Sequence, residues 1–149
     1  MARDRKIKSE KVILASDHAG FKLKEEIKKF LIKKRKKVLD LGTKNISSVD
    51  YPDYAHLLSK KMKKIENQFG ILICGSGAGM SMSANKHKNI RAALCYNTKS
   101  TKLSRLHNNA NVMTLGSRLI KKNVALKCVS TFLNTNFDGA CHSRRVKKI

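Results

Sequence analysis

The chain has 149 residues, enough for one domain with a single core, and its 41% hydrophobic content suits a globular protein rather than a disordered one. Its 33 Lys and Arg against 10 Asp and Glu give a formal charge of +23, a field that attracts phosphate whatever the fold. No apolar run approaches the roughly 20 residues that cross a bilayer, and Met1 to Glu10 lacks an apolar signal core, so the expectation is a cytoplasmic protein with no membrane partner.

Residues 1–10 read as a basic N-terminal arm ahead of one domain, 11–149. Val12 to Ser16 is a short apolar run that predicts a buried strand. From Gly20 onward, Leu23, Ile27, Phe30 and Leu31 recur at helical spacing. Lys24, Lys28, Lys29 and the basic run from Lys33 to Lys37 lie along that helix and beyond it, and are expected largely to face solvent. Lys37 to Asp40 predicts a second strand. Asp50-Tyr51-Pro52-Asp53 predicts a helix start, with Pro52 in the tolerated first turn, and Tyr54, Leu58, Met62 and Ile65 form its apolar stripe. Phe69 to Cys74 predicts the third strand, and a helix to about Lys86 follows. Arg91 to Cys95 and Asn111 to Leu115 predict two more strands, with a short helix from Thr98 to Leu106 between them. A last long helix carries Val124, Ala125, Cys128, Val129 and Phe132 on one face, and 135–149 reads as an Arg- and Lys-rich terminal segment.

Strand and helix alternate throughout. That pattern predicts an α/β fold: a three-layer αβα sandwich around a five-stranded, mainly parallel sheet, Rossmann-like in form. Ligands in such sheets sit at the carboxyl ends of the strands. Asp17 and His18, Cys74, Tyr96 and Asn97, and Gly116 to Arg118 all follow strands and are expected along that edge.

Cys74-Gly75-Ser76-Gly77-Ala78-Gly79-Met80 is the stretch richest in chemistry. Glycines let backbone N–H groups crowd around one point, and a following helix adds its positive end. The result is a cradle for an anion or a developing oxyanion, with a thiol on its rim whose pKa a helix N-terminus would depress. Met80 stands where the dinucleotide fingerprint needs its third glycine, and no Asp or Glu occurs between Glu66 and Asp138 to hold a ribose. The Gly-Lys-Ser/Thr of a nucleotide P-loop is absent too, so neither NAD nor ATP is expected. Cys74, Cys95, Cys128 and Cys141 form no CxxC pair, which argues against zinc and for free thiols in a reducing compartment. With so few carboxylates available, Cys74 is the candidate base or nucleophile, and Cys95 and Cys128 read as small buried hydrophobes.

Ser16-Asp17-His18-Ala19-Gly20-Phe21, Asp50 to Ala55 and Cys74 to Ser81 occur in order. They are followed by Ala84-Asn85-Lys86, Ile90 to Ala93, His107 to Asn111 and Leu115 to Arg118. From about Val12 to the C-terminus this ordered set resembles the ribose-5-phosphate isomerase B family, which includes the allose- and galactose-6-phosphate isomerases. The resemblance implies a cofactor-free aldose–ketose isomerisation of a sugar phosphate through an enediolate. Cys74 would be the base, as in the family's cysteine branch; the other branch has a glutamate where this chain has Met80. Amides of Gly75, Gly77, Gly79 and Met80 would hold the enediolate oxygens, with Ser81 beside them. His107 would open the sugar ring, Asp17, Tyr51, Ser76 and Asn108 would hold hydroxyls, and His18, Arg118 and Arg145 would bind phosphate. The family pattern is a homodimer or dimer of dimers with sites built from two subunits. Two departures stand out: Asn109 replaces an Asp after His107-Asn108, and Gly139-Ala140-Cys141-His142 replaces Gly-Gly-Arg-His, so one expected phosphate-binding arginine is Cys141. Ribose 5-phosphate is the expected substrate. A six-carbon aldose 6-phosphate is the enzymatic alternative, and a basic nucleic-acid-binding module on the same fold is the alternative from another class.

Overall fold

In a computed structural model, residues 11–62 and 68–149 are described. The basic arm and Ile65 lie outside them. The strands are β1 (Lys11–Ser16), β2 (Lys37–Asp40), β3 (Gln68–Cys74), β4 (Ala92–Leu94) and β5 (Val112–Gly116). The helices are α1 (Phe21–Lys33), α2 (Tyr51–Lys61), α3 (Ala78–Ala84), α4 (Thr98–Asn108), α5 (Lys122–Asn134) and α6 (Cys141–Val146). The strands pair in the order β2-β1-β3-β5-β4, and every pairing is parallel.

The apolar runs of the central strands are buried on both faces, as parallel sheets require. On one face Leu23, Ile27 and Leu31 of α1 and Ala125, Val129 and Phe132 of α5 pack on Val12, Leu14 and Ile71. Helix α4 lies beside α5. On the other face Ala55, Leu58 and Met62 of α2 and Met80 and Ala84 of α3 meet Ile13, Leu72 and Val112. This is the three-layer arrangement that the alternation predicts. Tyr54 is half-buried and packs against this core, and Ala55 and Ser59 join the buried stripe of α2.

Three elements differ from expectation. Helix α3 stops at Ala84 because Asn85 turns its side-chain amide onto edge strand β4, accepting from Ala92 N at 2.7 Å and donating to Ala92 O at 2.9 Å. Strand β4 is correspondingly shorter than the apolar run from Arg91 to Cys95. The tail is not merely a charged segment, because it folds into α6 and returns to α4. One charge also reverses its expected setting. Lys24 is 1% exposed, with its ammonium 2.5 Å from Asp40 and 2.8 Å from Glu25, while Lys28 reaches Asp40 at 3.1 Å. An α1 lysine expected in solvent therefore ties α1 to β2.

Candidate active site

The chain leaves β1 for β2 on one side, then crosses to β3 on the other side of β1. The carboxyl ends of β1 and β3 flank this switch point, where open α/β sheets form their ligand crevice. Asp17 follows β1 and is 5% exposed. Its Oδ1 accepts from Gly20 N at 3.0 Å, which closes the turn into α1. His18 Nδ1 accepts from Val49 N at 3.2 Å, so the neutral ring carries its proton on Nε2.

Cys74 ends β3 and is 4% exposed. Gly77 adopts φ +79, a left-handed turn that brings its N–H back to Cys74 Sγ at 3.1 Å. The same turn is bolted to the end of β5: Ser117 N donates to Cys74 O at 2.8 Å and Arg118 N to Gly75 O at 3.0 Å. Ser117 Oγ donates to Ala19 O at 2.8 Å and so ties the β5 and β1 ends together. The Arg118 guanidinium lies close over Gly75, where a Cβ would stand 2.8 Å from its Nη1. The Tyr51 ring, from the first turn of α2, lies against Gly79.

Together these groups enclose a cavity of about 380 Å³ lined by Asp17, His18, Tyr51, Cys74, Ser76 and Arg118, along with Gly75 and Gly79. It combines one thiol, one carboxylate, one imidazole and one guanidinium. First-turn amides of a helix lack intrahelical acceptors, and Gly79 and Met80 hold such positions in α3. The Gly77 amide differs, because it is already spent on the Cys74 sulfur. Such a site can hold a phosphate on its guanidinium and imidazole N–H and stabilise a developing oxyanion beside a sulfur base. The other buried thiols lack this setting. Burial pushes Cys95 up to about 11, against opposing hydrogen bonds from Thr101 and Ser104, and burial also raises Cys128.

Other residues singled out in the sequence lie elsewhere. The Met80 side chain is fully buried, which leaves only its backbone for a ligand. Ser81 sits outside the cavity lining, its hydroxyl 3.5 Å from Ala92 O. Tyr96 is exposed, and Asn97 caps α4 by accepting from Ser100 N at 2.7 Å. Asp40 is occupied by Lys24 and Lys28. His107 and Asn108 end α4 just before β5 begins, so they lie at the amino edge of the sheet. The strand register pairs Gly70 with Val112 and Cys74 with Gly116, so about 13 Å of sheet separates the two ends. Asn108 lines a different cavity, of about 580 Å³, with Arg91 and Lys147. Arg145 lies on α6, exposed, and α6 rests on α4. His142, which the sequence reading gave no role, stacks on His107 with ring centroids 4.2 Å apart and planes at 17°. Its place in the tail motif was the one available signal.

A parallel αβα sheet with a thiol, a glycine turn, an imidazole and a guanidinium at its switch point defines an α/β enzyme built for small anionic substrates. The Ribose/Galactose Isomerase family profile matches residues 12–149. A probable ribose-5-phosphate isomerase B of Mycoplasma pneumoniae is 45% identical over 139 residues, covering 93% of this chain and 91% of that protein. The crystal structure of a ribose 5-phosphate isomerase from Thermotoga maritima superposes with a TM-score of 0.91 at 48% identity, covering 95% of this chain and 97% of the other. That of ribose-5-phosphate isomerase B from Mycoplasma genitalium with bound ribulose 5-phosphate gives a TM-score of 0.89 at 44% identity, over 93% and 92%. The chain belongs to the ribose/galactose isomerase family.

Proposed function

We propose that this chain interconverts ribose 5-phosphate and ribulose 5-phosphate without a cofactor. The observation that carries the reading is the cavity in which Cys74, the glycine turn, His18 and Arg118 converge. In the open-chain aldose, the Cys74 thiolate takes the C2 proton and electron density moves onto the carbonyl oxygen. The resulting enediolate oxygens are met by first-turn amides of α3, which cost no reorganisation when charge develops. The C2 hydroxyl proton passes to the C1 oxygen as the C2 carbonyl forms, and the Cys74 thiol returns its proton to C1, giving the ketose. Because Gly77 N–H already donates to Sγ, oxyanion binding falls to the amides of Gly79 and Met80. His18 and Arg118 hold the phosphate, while Asp17, Tyr51 and Ser76 orient hydroxyls.

His107, Asn108 and Arg145 enter this scheme from a second copy of the chain. Within one chain they sit at the opposite edge of the sheet from Cys74. Edge strand β4 and the neighbouring exposed side chains suit a partner: Leu94, Tyr96 and Met82 are 40%, 63% and 71% exposed. The working unit is therefore a homodimer, alone or paired again. Its four free cysteines fit the reducing cytoplasm, and among the described residues no helix is long and apolar enough to cross a membrane.

The direct test is an isomerase assay with ribose 5-phosphate on the parent and on Cys74→Ala. The variant is expected to lose about 10² or more in kcat with KM little changed. Parent-like turnover by that variant would remove Cys74 from the mechanism. Initial rates with allose 6-phosphate on the same preparation are expected to be lower than with ribose 5-phosphate.

A further inference from the structure

A second cationic site lies at the amino edge of the sheet, away from the sugar-phosphate cavity. Lys11 opens β1 and Lys37 opens β2, and the parallel register sets them directly opposite each other. The end of α1 and the turn into β2 add Lys33, Lys34 and Arg35, and all five side chains are exposed. No Asp or Glu occurs between Glu26 and Asp40, and Asp40 is held by Lys24 and Lys28. Among the described residues, none of the five forms an ion pair. Like charges set opposite across a ladder destabilise the pairing, and among the described residues no carboxylate pairs with them.

We infer that this edge is a docking surface for the phosphate backbone of nucleic acid. Substrate phosphate is not its occupant, because Cys74, His18 and Arg118 lie at the carboxyl ends of the strands, and β1 with its six residues spans about 20 Å between the two edges. The copy that supplies His107 is not its occupant either, because it belongs at the β4 side, and β2 and β4 are the opposite outer strands of the sheet. A repeating polyanion meets all five cations at once and gains by releasing its condensed counterions. An acidic bilayer fits less well, since membrane-surface helices insert aromatic and large apolar side chains. Between Phe21 and Asp40 the only exposed large apolar side chain is Ile32, and Phe30 packs on the core.

The test is fluorescence anisotropy of a labelled DNA duplex of about 20 base pairs with the full chain, between about 50 and about 200 mM salt. Two charge-matched triple variants separate a docking surface from a diffuse field: Lys33→Glu with Lys34→Glu and Arg35→Glu, and Lys99→Glu with Lys102→Glu and Lys127→Glu. The first is expected to weaken binding at least about tenfold at low salt and to flatten the log–log salt slope by about 3. The second is expected to weaken it less than about threefold, and both should retain parent isomerase turnover, which shows that they fold. Equal losses in the two variants would overturn the surface, as would undetectable duplex binding at the lowest salt. So would binding to phosphatidylcholine vesicles with about 30% phosphatidylserine in preference to duplex.

Discussion

Ala140 takes φ 46 and ψ −125 directly after Gly139 at φ 67, and this pair of left-handed residues turns the chain into α6. Side chains rarely adopt that backbone, so Ala140 holds strain that a glycine would not. The turn matters because it delivers His142 onto His107 and sets Cys141 exposed at the start of α6. An arginine at 141 would offer a bidentate, charge-assisted phosphate contact, which a thiol does not. Losing one such contact costs about 1.5–3 kcal/mol, or roughly ten- to a hundredfold in affinity. Cys141→Arg is therefore expected to lower KM for ribose 5-phosphate, with kcat changed less. Steady-state kinetics on the two proteins decide it, and an unchanged or higher KM would show that another cation of the tail has taken over. Asn109 is the milder departure. It closes α4 in left-handed backbone at φ 47, a conformation that asparagine tolerates, and its side chain accepts from Arg105 Nη1 at 3.1 Å.

Helix α1 and strand β2 are joined by a buried charge, and that bond has a pH signature. Burial alone would raise the Asp40 pKa, but hydrogen bonds from Lys24, Gly42 N–H and Lys28 outweigh it and hold the carboxyl below its ordinary 3.8. A carboxyl depressed in the folded state stabilises the fold above its ordinary pKa, and that stability is lost as pH falls through the folded value. Asp40→Asn is expected to cost about 3 kcal/mol at neutral pH, because it leaves Lys24 buried with only Glu25 as partner. Denaturant melts should show the gap between parent and variant closing as pH drops below about 4, and adding Lys24→Met should recover most of the loss. A gap that persists in acid would place the effect in packing. This contact also marks a limit of reading elements from sequence. All five strands were legible because buried parallel strands are short apolar runs, and the helices because their apolar residues recur with helical spacing. Lys24 follows the core residue Leu23 on α1, where periodicity assigns polar residues to solvent, and its burial depends on a distant Asp40. Helix α6 escaped notice because its six residues bury none of their side chains fully and owe their position to α4. The Cys74 turn announced itself by glycine spacing, and Asp17, His18 and Arg118 by following strands. Tyr51 was reached only through family resemblance, since its approach to Gly79 joins two elements.

At the scale of the whole molecule, the residues assigned to one reaction fall on two edges of one sheet. Cys74, His18 and Arg118 lie at the carboxyl ends of the strands, and His107 with the α6 tail lies toward the amino end of β5. No side-chain rotation closes a gap of about 13 Å of sheet, so a ring-opening imidazole must come from another chain if it is to serve the Cys74 cavity. In a dimer with two-fold symmetry each cavity then takes Cys74 from one copy and His107 from the other. Cys74→Ala homodimers lack the base at both sites, and His107→Asn homodimers lack the ring-opening group at both. A mixed dimer has one doubly damaged site and one whole site, because its intact Cys74 faces its intact His107. Random pairing of equal amounts makes about half of the dimers mixed, so activity on cyclic ribose 5-phosphate should return to about a quarter of the parent value. The measurement is a rate after co-expression, set against the two variants purified separately and simply combined. Recovery confined to the co-expressed sample would place the shared site between subunits. Absence of recovery in co-expressed protein that contains mixed dimers by mass would mean that each cavity works with groups from its own chain alone.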